Sequence, residues 1–200
     1  MSGPSTKLLS FLAPGFLHNL GNSILTIQGR AHLLAAAQAD LAATQGQILS
    51  SCDRSRIGMS ILRAAIDDID SEVTAVGPLL VELFGMMRVQ FREVGIAVDV
   101  RPDLADAGHR VPLGALVRAV GGLGCAVRDA IPAGLRGKLA VSWVSPLLLE
   151  IRLSPDRTHL PFRIDMTAIA AVAGRSGIVV AQPTPDGEAL QLRLETQADS

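Results

Sequence analysis

A histidine and an asparagine stand four residues apart in the apolar stretch FLHNLGNSILTIQGRAHLL, which begins at Phe16. On a helix this spacing places His18 and Asn22 on the same face, with Gly21 beside them. A neutral imidazole nitrogen is a nucleophile that can attack phosphorus. The asparagine amide could hydrogen-bond a phosphoryl group or an attacking water. On residue type alone, the alternative of an ordinary surface histidine stays open.

Apolar residues recur at heptad spacing through the first third of the chain and predict two long helices. The two series are Leu17, Leu20, Ile24, Ile27, Ala31 and Leu34, then Ile48, Cys52, Ser55, Met59, Leu62, Ile66 and Ile69. The segment ADLAATQGQ between them predicts the turn of an antiparallel hairpin. Further apolar residues widen both stripes beyond what one hairpin can bury. We therefore expect a homodimer whose hairpins form a four-helix bundle.

Beyond the hairpin, helical and strand patterns alternate. One helix is predicted to start at Pro78 and to end at Gly95, and a second to run from Pro112 to about Ile131. Alternating apolar residues predict strands in the segments IAVDV, KLAVSWV, LLLEIRL, GIVVAQ and ALQLRLE. A further short helix is predicted near 165–173.

These patterns together predict an α+β protein of two domains. Residues 1–74 form the helical hairpin, and residues 75–200 form an α/β sandwich with helices packed on one face of a mixed sheet. Within the hairpin, His18 directly follows the seam residue Leu17, so its side chain is expected to point away from the hairpin core.

The composition excludes several classes of function. Hydrophobic residues make up 48% of the 200 residues, and the net charge of −1 offers no basic field to nucleic acid or an acidic membrane. Cys52 and Cys125 lack a metal-binding or redox spacing, which indicates reduced thiols. No apolar run reaches the ~18 residues of a membrane span. We expect a cytoplasmic protein with no metal site and no nucleic-acid or membrane partner.

Three stretches resemble, in order and spacing, the core of bacterial two-component histidine kinases. FLHNLGNSILTIQG resembles the H-box of the dimerisation and phosphotransfer helix. PLLVELFGMMRVQFREVGIAVDV resembles the entry to the catalytic ATP-binding domain, which has a Bergerat-type sandwich. LGALVRAVGGLGCAVRDAIP resembles the helix that carries the N-box. The resemblance covers about residues 8–196.

The sequence departs from the kinase pattern where ATP would bind. Gly122 and Ala126 stand where the N-box has asparagines, one of which holds the magnesium of ATP in the family. The glycine boxes are also missing: SPDRTHLP and FRIDMTAIAAVAG stand in their places. The GGLG at 121–124 lies inside a predicted helix, where small residues more often permit close packing than bind phosphate. Asn19 replaces the acidic residue that usually follows the kinase histidine. These departures predict a degenerate ATP-binding domain.

A retained histidine beside a degenerate ATP-binding domain resembles the dimeric histidine phosphotransferases of the ChpT type. The resemblance implies a phosphorelay protein that uses His18, supported by Asn22, to shuttle phosphoryl groups between receiver aspartates without ATP. Its partners would be receiver domains of response regulators or hybrid kinases, which bring their own Mg²⁺, so no cofactor is expected. The predicted docking surface for the receiver comprises Asn19, Gly21, Leu25, Gly29, Ser51, Arg54 and Gly58.

Two alternatives remain open from the sequence. The first is a catalytically inactive pseudo-histidine-kinase that binds a receiver or a kinase as an interaction module. The second is an active kinase whose nucleotide-binding motifs have diverged.

Overall fold

The computed structural model describes residues 4–36, 40–66, 73–106, 108–145, 147–156, 179–184 and 189–194. Two long helices come first: α1 spans Pro4–Ala35 and α2 spans Leu41–Ile66. Asp40 caps α2, because one carboxylate oxygen accepts hydrogen bonds from the backbone N–H groups of Ala42 and Ala43. The two helices pack against each other as the predicted hairpin.

The other helices belong to the α/β part of the chain. Helix α3 spans Val76–Glu93, and Gly95 follows its C-cap with a φ of +82°, a conformation that glycine adopts easily. A second, continuous helix consists of α4 (Leu113–Leu116), a π-helical segment (Val117–Gly121) and α5 (Gly122–Ala130). A short 3-10 helix covers Pro102–Asp106.

The described strands form two sheets. They are β1 (Val73–Ala75), β2 (Ile96–Val100), β3 (Arg110–Pro112), β4 (Gly137–Ser145), β5 (Leu148–Pro155), β6 (Val179–Pro183) and β7 (Ala189–Leu194). The larger sheet has the order β2-β4-β5-β7-β6, in which β2 is parallel to β4 and the other pairs are antiparallel. β1 and β3 form a separate antiparallel pair. The prediction of an α+β fold with a mixed sheet is confirmed.

The first half of α1 belongs to the core of the α/β part. Its buried apolar residues join α3, α5 and the buried face of the larger sheet in one hydrophobic cluster. The ring of Phe11 meets the ring of Phe91 edge to face, with centroids 6.2 Å apart. A Cβ on Gly15 would collide with the backbone of Met86, so the glycine lets α1 approach α3 closely. The heptad series begins only at Leu17, whereas the helix begins at Pro4.

The heptad seam of α1 is not the buried face of the hairpin. Leu17 is 64% exposed and Ile24 46% exposed, and no position of the predicted seam on α1 is fully buried. Small polar residues are buried instead, among them Ser23, Thr44 and Ser51. A heptad pattern identifies an apolar stripe but not the surface that covers it, which is why the sequence could not distinguish a seam within the hairpin from one between copies.

The structure confirms the predicted strands as β2, β4, β5, β6 and β7, and the long helix as Leu113–Ala130. Helix α3 starts two residues before the predicted Pro78. The pair β1–β3 and the 3-10 helix are not predicted by the sequence patterns, because three-residue strands are too short to show alternation. The predicted helix near 165–173 lies outside the described residues. No helix among the described residues is long and apolar enough to cross a membrane.

Candidate functional site

His18 is exposed on α1 and contacts the side chain of Asn22. The Nδ2 atom of Asn22 lies 3.1 Å from the Nε2 atom of His18. With the amide nitrogen facing the ring, Asn22 donates the hydrogen bond and the lone pair of Nε2 accepts it. A neutral ring in this arrangement carries its proton on Nδ1. The backbone oxygen of Asn22 also accepts a hydrogen bond from Thr26 Oγ1, at 2.9 Å. The predicted spacing therefore produces an oriented imidazole.

The surface next to His18 is open. A Cβ added to Gly21 or to Gly29 would meet no atom within 4 Å, and Leu25 is 66% exposed. Together with Asn22, these residues form one exposed stripe along the second half of α1. A partner could therefore approach the imidazole along this stripe without displacing any described part of the chain.

A cleft of about 770 Å³ opens beside His18. Its walls come from α1, α3 and the edge strand β2, with α2 contributing one side chain. The charged or reactive groups exposed at the cleft are His18, Arg54, Arg88, Arg92 and Arg136. The imidazole thus lies at the edge of a strongly cationic depression.

Asn19 is one of the residues that line this cleft. Its Nδ2 atom donates a hydrogen bond to Glu82 Oε1 at 2.9 Å, and Glu82 is only 7% exposed. Burial raises the pKa of the Glu82 carboxyl, although the hydrogen bond from Asn19 and the charge of Arg54 oppose the rise. Asn19, the residue directly after His18, therefore contacts a carboxylate that α3 contributes.

Ser51 and Gly58 do not lie on the predicted docking surface. Ser51 is 1% exposed, and its hydroxyl donates to the backbone oxygen of Gln47 at 2.9 Å. Gly58 is buried, and a Cβ there would lie 3.0 Å from the ring of Phe16. Both residues keep the hairpin tightly packed. Arg54, by contrast, is exposed in the cleft that contains His18.

The face of α5 that resembles the N-box does not fit a magnesium–nucleotide complex. Gly122 and Ala126 offer no side-chain oxygen. The nearby carboxylate of Asp129 is paired with Lys7 of α1 at 2.5 Å and with Arg128 at 3.4 Å. Desolvation acts to raise the pKa of Asp129, but the hydrogen bonds and charges of Lys7 and Arg128 prevail and lower it. Asp129, the acidic side chain of this face, is therefore already paired with two basic side chains.

The GGLG segment is a packing device. A Cβ on Gly121 would lie 2.8 Å from Leu8, and one on Gly124 would collide with the sulfur of Met87. The glycines thus allow α1 and α3 to pack against this helix. The segments that replace the glycine boxes lie largely in 157–178, outside the described residues.

Four charged residues of the cleft are not among the predicted site residues: Glu82, Arg88, Arg92 and Arg136. One signal was available for Glu82, because a single acidic residue inside the apolar run PLLVELFGMM is unusual for a buried helix face. The arginines give no such signal, since arginines are mostly exposed on protein surfaces.

Neither a protein-family model nor a curated protein matches the chain. Among solved structures, it is similar to the histidine kinase domain of the Erythrobacter litoralis EL346 blue-light activated histidine kinase (TM-score 0.41, 16% identity, 96% of this chain and 94% of that one). It is also similar to a histidine kinase from Burkholderia phymatum STM815 (TM-score 0.39, 17% identity, 90% and 95%). A third is the Acinetobacter baumannii histidine kinase AdeS (TM-score 0.39, 10% identity, 90% and 98%). These scores are low, so the function is inferred from the residues around His18.

Proposed function

We propose that the protein is a histidine phosphotransferase that passes phosphoryl groups between receiver-domain aspartates through His18. The observation that supports this most directly is the exposed imidazole, oriented by Asn22 at the edge of a cationic cleft and beside an open helix face. Nothing in this arrangement calls for a nucleotide. A docked receiver can reach Nε2 along the stripe formed by Gly21, Leu25 and Gly29.

The transfer needs little from the protein beyond a positioned nucleophile. The Nε2 lone pair attacks the phosphorus of the receiver's aspartyl phosphate, the N–P bond forms, and the bond from phosphorus to the carboxylate oxygen breaks. The aspartate leaves as a carboxylate, and the ring then holds both the phosphoryl group and the proton on Nδ1. Asn22 gives up its hydrogen bond to Nε2 and can donate to a phosphoryl oxygen instead. A second receiver reverses the steps.

The face of α5 that resembles the N-box supports the same proposal. A kinase must hold ATP and its magnesium, and the corresponding face of α5 instead carries a carboxylate neutralised by Lys7 and Arg128. We therefore propose that the phosphoryl group comes from a receiver and not from ATP.

The hairpin is also proposed to dimerise with a second copy of the chain. Eight of the eleven large apolar residues that are exposed among the described residues lie on α1 and α2. One hairpin leaves these side chains in water, whereas a four-helix bundle of two hairpins would cover those that belong to the heptad seams, namely Leu17, Ile24, Met59 and Ile66.

Phosphoryl transfer from radiolabelled receivers tests the proposal. Purified receiver domains of the source organism are phosphorylated and mixed with the wild type, and label on the protein is followed over time. We expect acid-labile, base-stable label on the wild type and none on His18→Ala. His32→Ala is the matched control, because His32 is a second exposed histidine on α1, in its last turn, and should not affect labelling.

Two results would change the assignment. Label that persists on His18→Ala would mean that another residue carries the phosphoryl group. Tight receiver binding without transfer to the wild type would favour the interaction module over the phosphotransferase.

A further inference from the structure

Four arginines that are far apart in the sequence line one cleft. Arg88 and Arg92 lie one turn apart on α3, Arg54 comes from α2, and Arg136 precedes β4. All four side chains are exposed. Within the described part of the chain, none of them forms an ion pair, whereas Lys138 pairs with Asp99 and Arg101 pairs with Asp103. The cleft therefore has positive charge that no described side chain neutralises by a direct contact.

Glu82 is the one carboxylate that lines the cleft, and it can offset at most one of the four positive charges. Glu82 is buried, accepts the hydrogen bond of Asn19, and interacts electrostatically with Arg54. The remaining three arginines have no carboxylate among the residues that line the cleft. A ligand that brings negative charge would consequently meet an attractive potential beside the imidazole.

We propose that this cleft is a docking subsite for an acidic surface segment of the receiver that exchanges phosphate with His18. The inference rests on the proposed function, and it names the chemistry of the partner: several carboxylates on an extended segment next to the phosphorylated aspartate. The segment would lie along α3 while the aspartyl phosphate lies over His18.

The distribution of the arginines favours an extended acidic segment over a single phosphate. A phosphate is held by donors that converge on one point, as bidentate guanidinium contacts do. Here Arg88 and Arg92 are separated by a helical turn of ~5.4 Å, and the cleft continues to Arg136 and to the edge strand β2. Among the described strands, β2 has a neighbour on one side only. Its other edge offers backbone groups that an extended chain could bind.

Because these side chains are exposed, the subsite should act mainly on association and on partner choice. Charges at the rim of an interface accelerate encounter and suppress partners of the wrong charge, and salt screens them. Reversing one such charge should weaken binding by about 3- to 10-fold at low salt, and reversing three should weaken it by more than 30-fold.

The test measures receiver binding separately from transfer. Receiver domains of the source organism are titrated into the His18→Ala protein by calorimetry, alone and with Arg88→Glu, Arg92→Glu or Arg136→Glu. We expect the dissociation constant to rise with each reversal, and the differences to shrink in high salt. Arg193→Glu is the matched control, because Arg193 is exposed on β7 and does not line the cleft. A lysine placed on an acidic segment of the receiver should restore binding to the reversed variants.

The outcomes separate this inference from the proposed function. If a receiver binds and transfers phosphate but the arginine variants all stay within twofold of the parent, the subsite is refuted and the phosphotransferase stands. If a receiver binds with arginine dependence but never phosphorylates the wild type at His18, the phosphotransferase is refuted and the subsite stands. If no receiver binds, the subsite is refuted.

Discussion

The two halves of α1 have opposite surroundings. In the first half, Gly15 lies against the backbone of α3, and Lys7 is paired with Asp129 of α5. In the second half, Gly21 and Gly29 face open space, and the arginines beside His18 have no paired carboxylate within the described residues. At one end of α1, glycine permits close packing and a basic side chain pairs with a carboxylate. At the other end, glycines leave the surface open and basic side chains can attract a negatively charged partner. The difference indicates that one continuous helix joins a structural anchor to a surface kept available for a partner.

The largest expected effect separates the two kinds of glycine. Gly15→Val should destabilise the fold by roughly 3 kcal/mol or more, because the new side chain meets backbone, which cannot change rotamer. Gly21→Val should change the free energy of unfolding by less than about 0.5 kcal/mol, since its Cβ has open space. Urea denaturation of both variants measures the contrast. Equal losses would contradict the division of α1 into a packed and an open half.

The second effect concerns the apolar residues of the open half. Ile24→Asp should weaken the proposed dimer at least about 100-fold, because each copy loses ~1.5–3 kcal/mol of apolar burial. It should not unfold the chain, since Ile24 is 46% exposed within one copy. Val144→Asp is the control, because Val144 is a similarly exposed apolar residue on β4. Light scattering at micromolar concentration gives the masses, and a monomeric wild type would refute the dimer.

A third, smaller effect lies where the two halves meet. Burial raises the pKa of Glu82 above its ordinary value of 4.5, so the folded state binds the proton more tightly than the unfolded state does. Glu82 therefore costs stability as the pH rises above 4.5, and the cost disappears below that pH. Glu82→Gln keeps an oxygen that can accept the hydrogen bond of Asn19 and removes the charge. Thermal unfolding should show a higher Tm for the variant at pH 7 and little difference at pH 4; a lower Tm at pH 7 would be the opposite result.

The smallest effect is expected at the anchored end. The side chains of Lys7 and Asp129 are 62% and 39% exposed, so Lys7→Ala should cost at most about 1 kcal/mol at pH 7. Because the pKa of Asp129 is lowered in the fold, the stabilisation by this ion pair is present above pH 3.8 and is lost as the pH falls through the folded-state pKa.

Calorimetry with Mg-ATP should detect no binding to the wild type or to Lys7→Ala. Micromolar binding to either would restore the kinase interpretation.

Local patterns predicted the secondary structure well, and they also predicted the relation of His18 to Asn22. Both depend on neighbours within a turn of helix or along one strand, which is the range that periodicity covers. The surface that covers the heptad seam of α1 was not predictable, because the spacing of Leu17 and Ile24 does not show which surface packs against them. Ser51 and Gly58 were wrongly placed on the surface for the same reason. Arg88 and Arg136 come together with His18 only through the packing of α1 on α3, and no local pattern contains that contact.

The ion pair between Lys7 and Asp129 joins residues 122 positions apart in the chain. During synthesis, α1 precedes α3 and α5, so its apolar residues Leu8, Phe11 and Leu12 are not fully covered until those helices have followed. Contacts of such long sequence separation form late and slow the folding of a domain. The nascent hairpin is thus exposed to aggregation and to chaperones for as long as translation takes to reach α5.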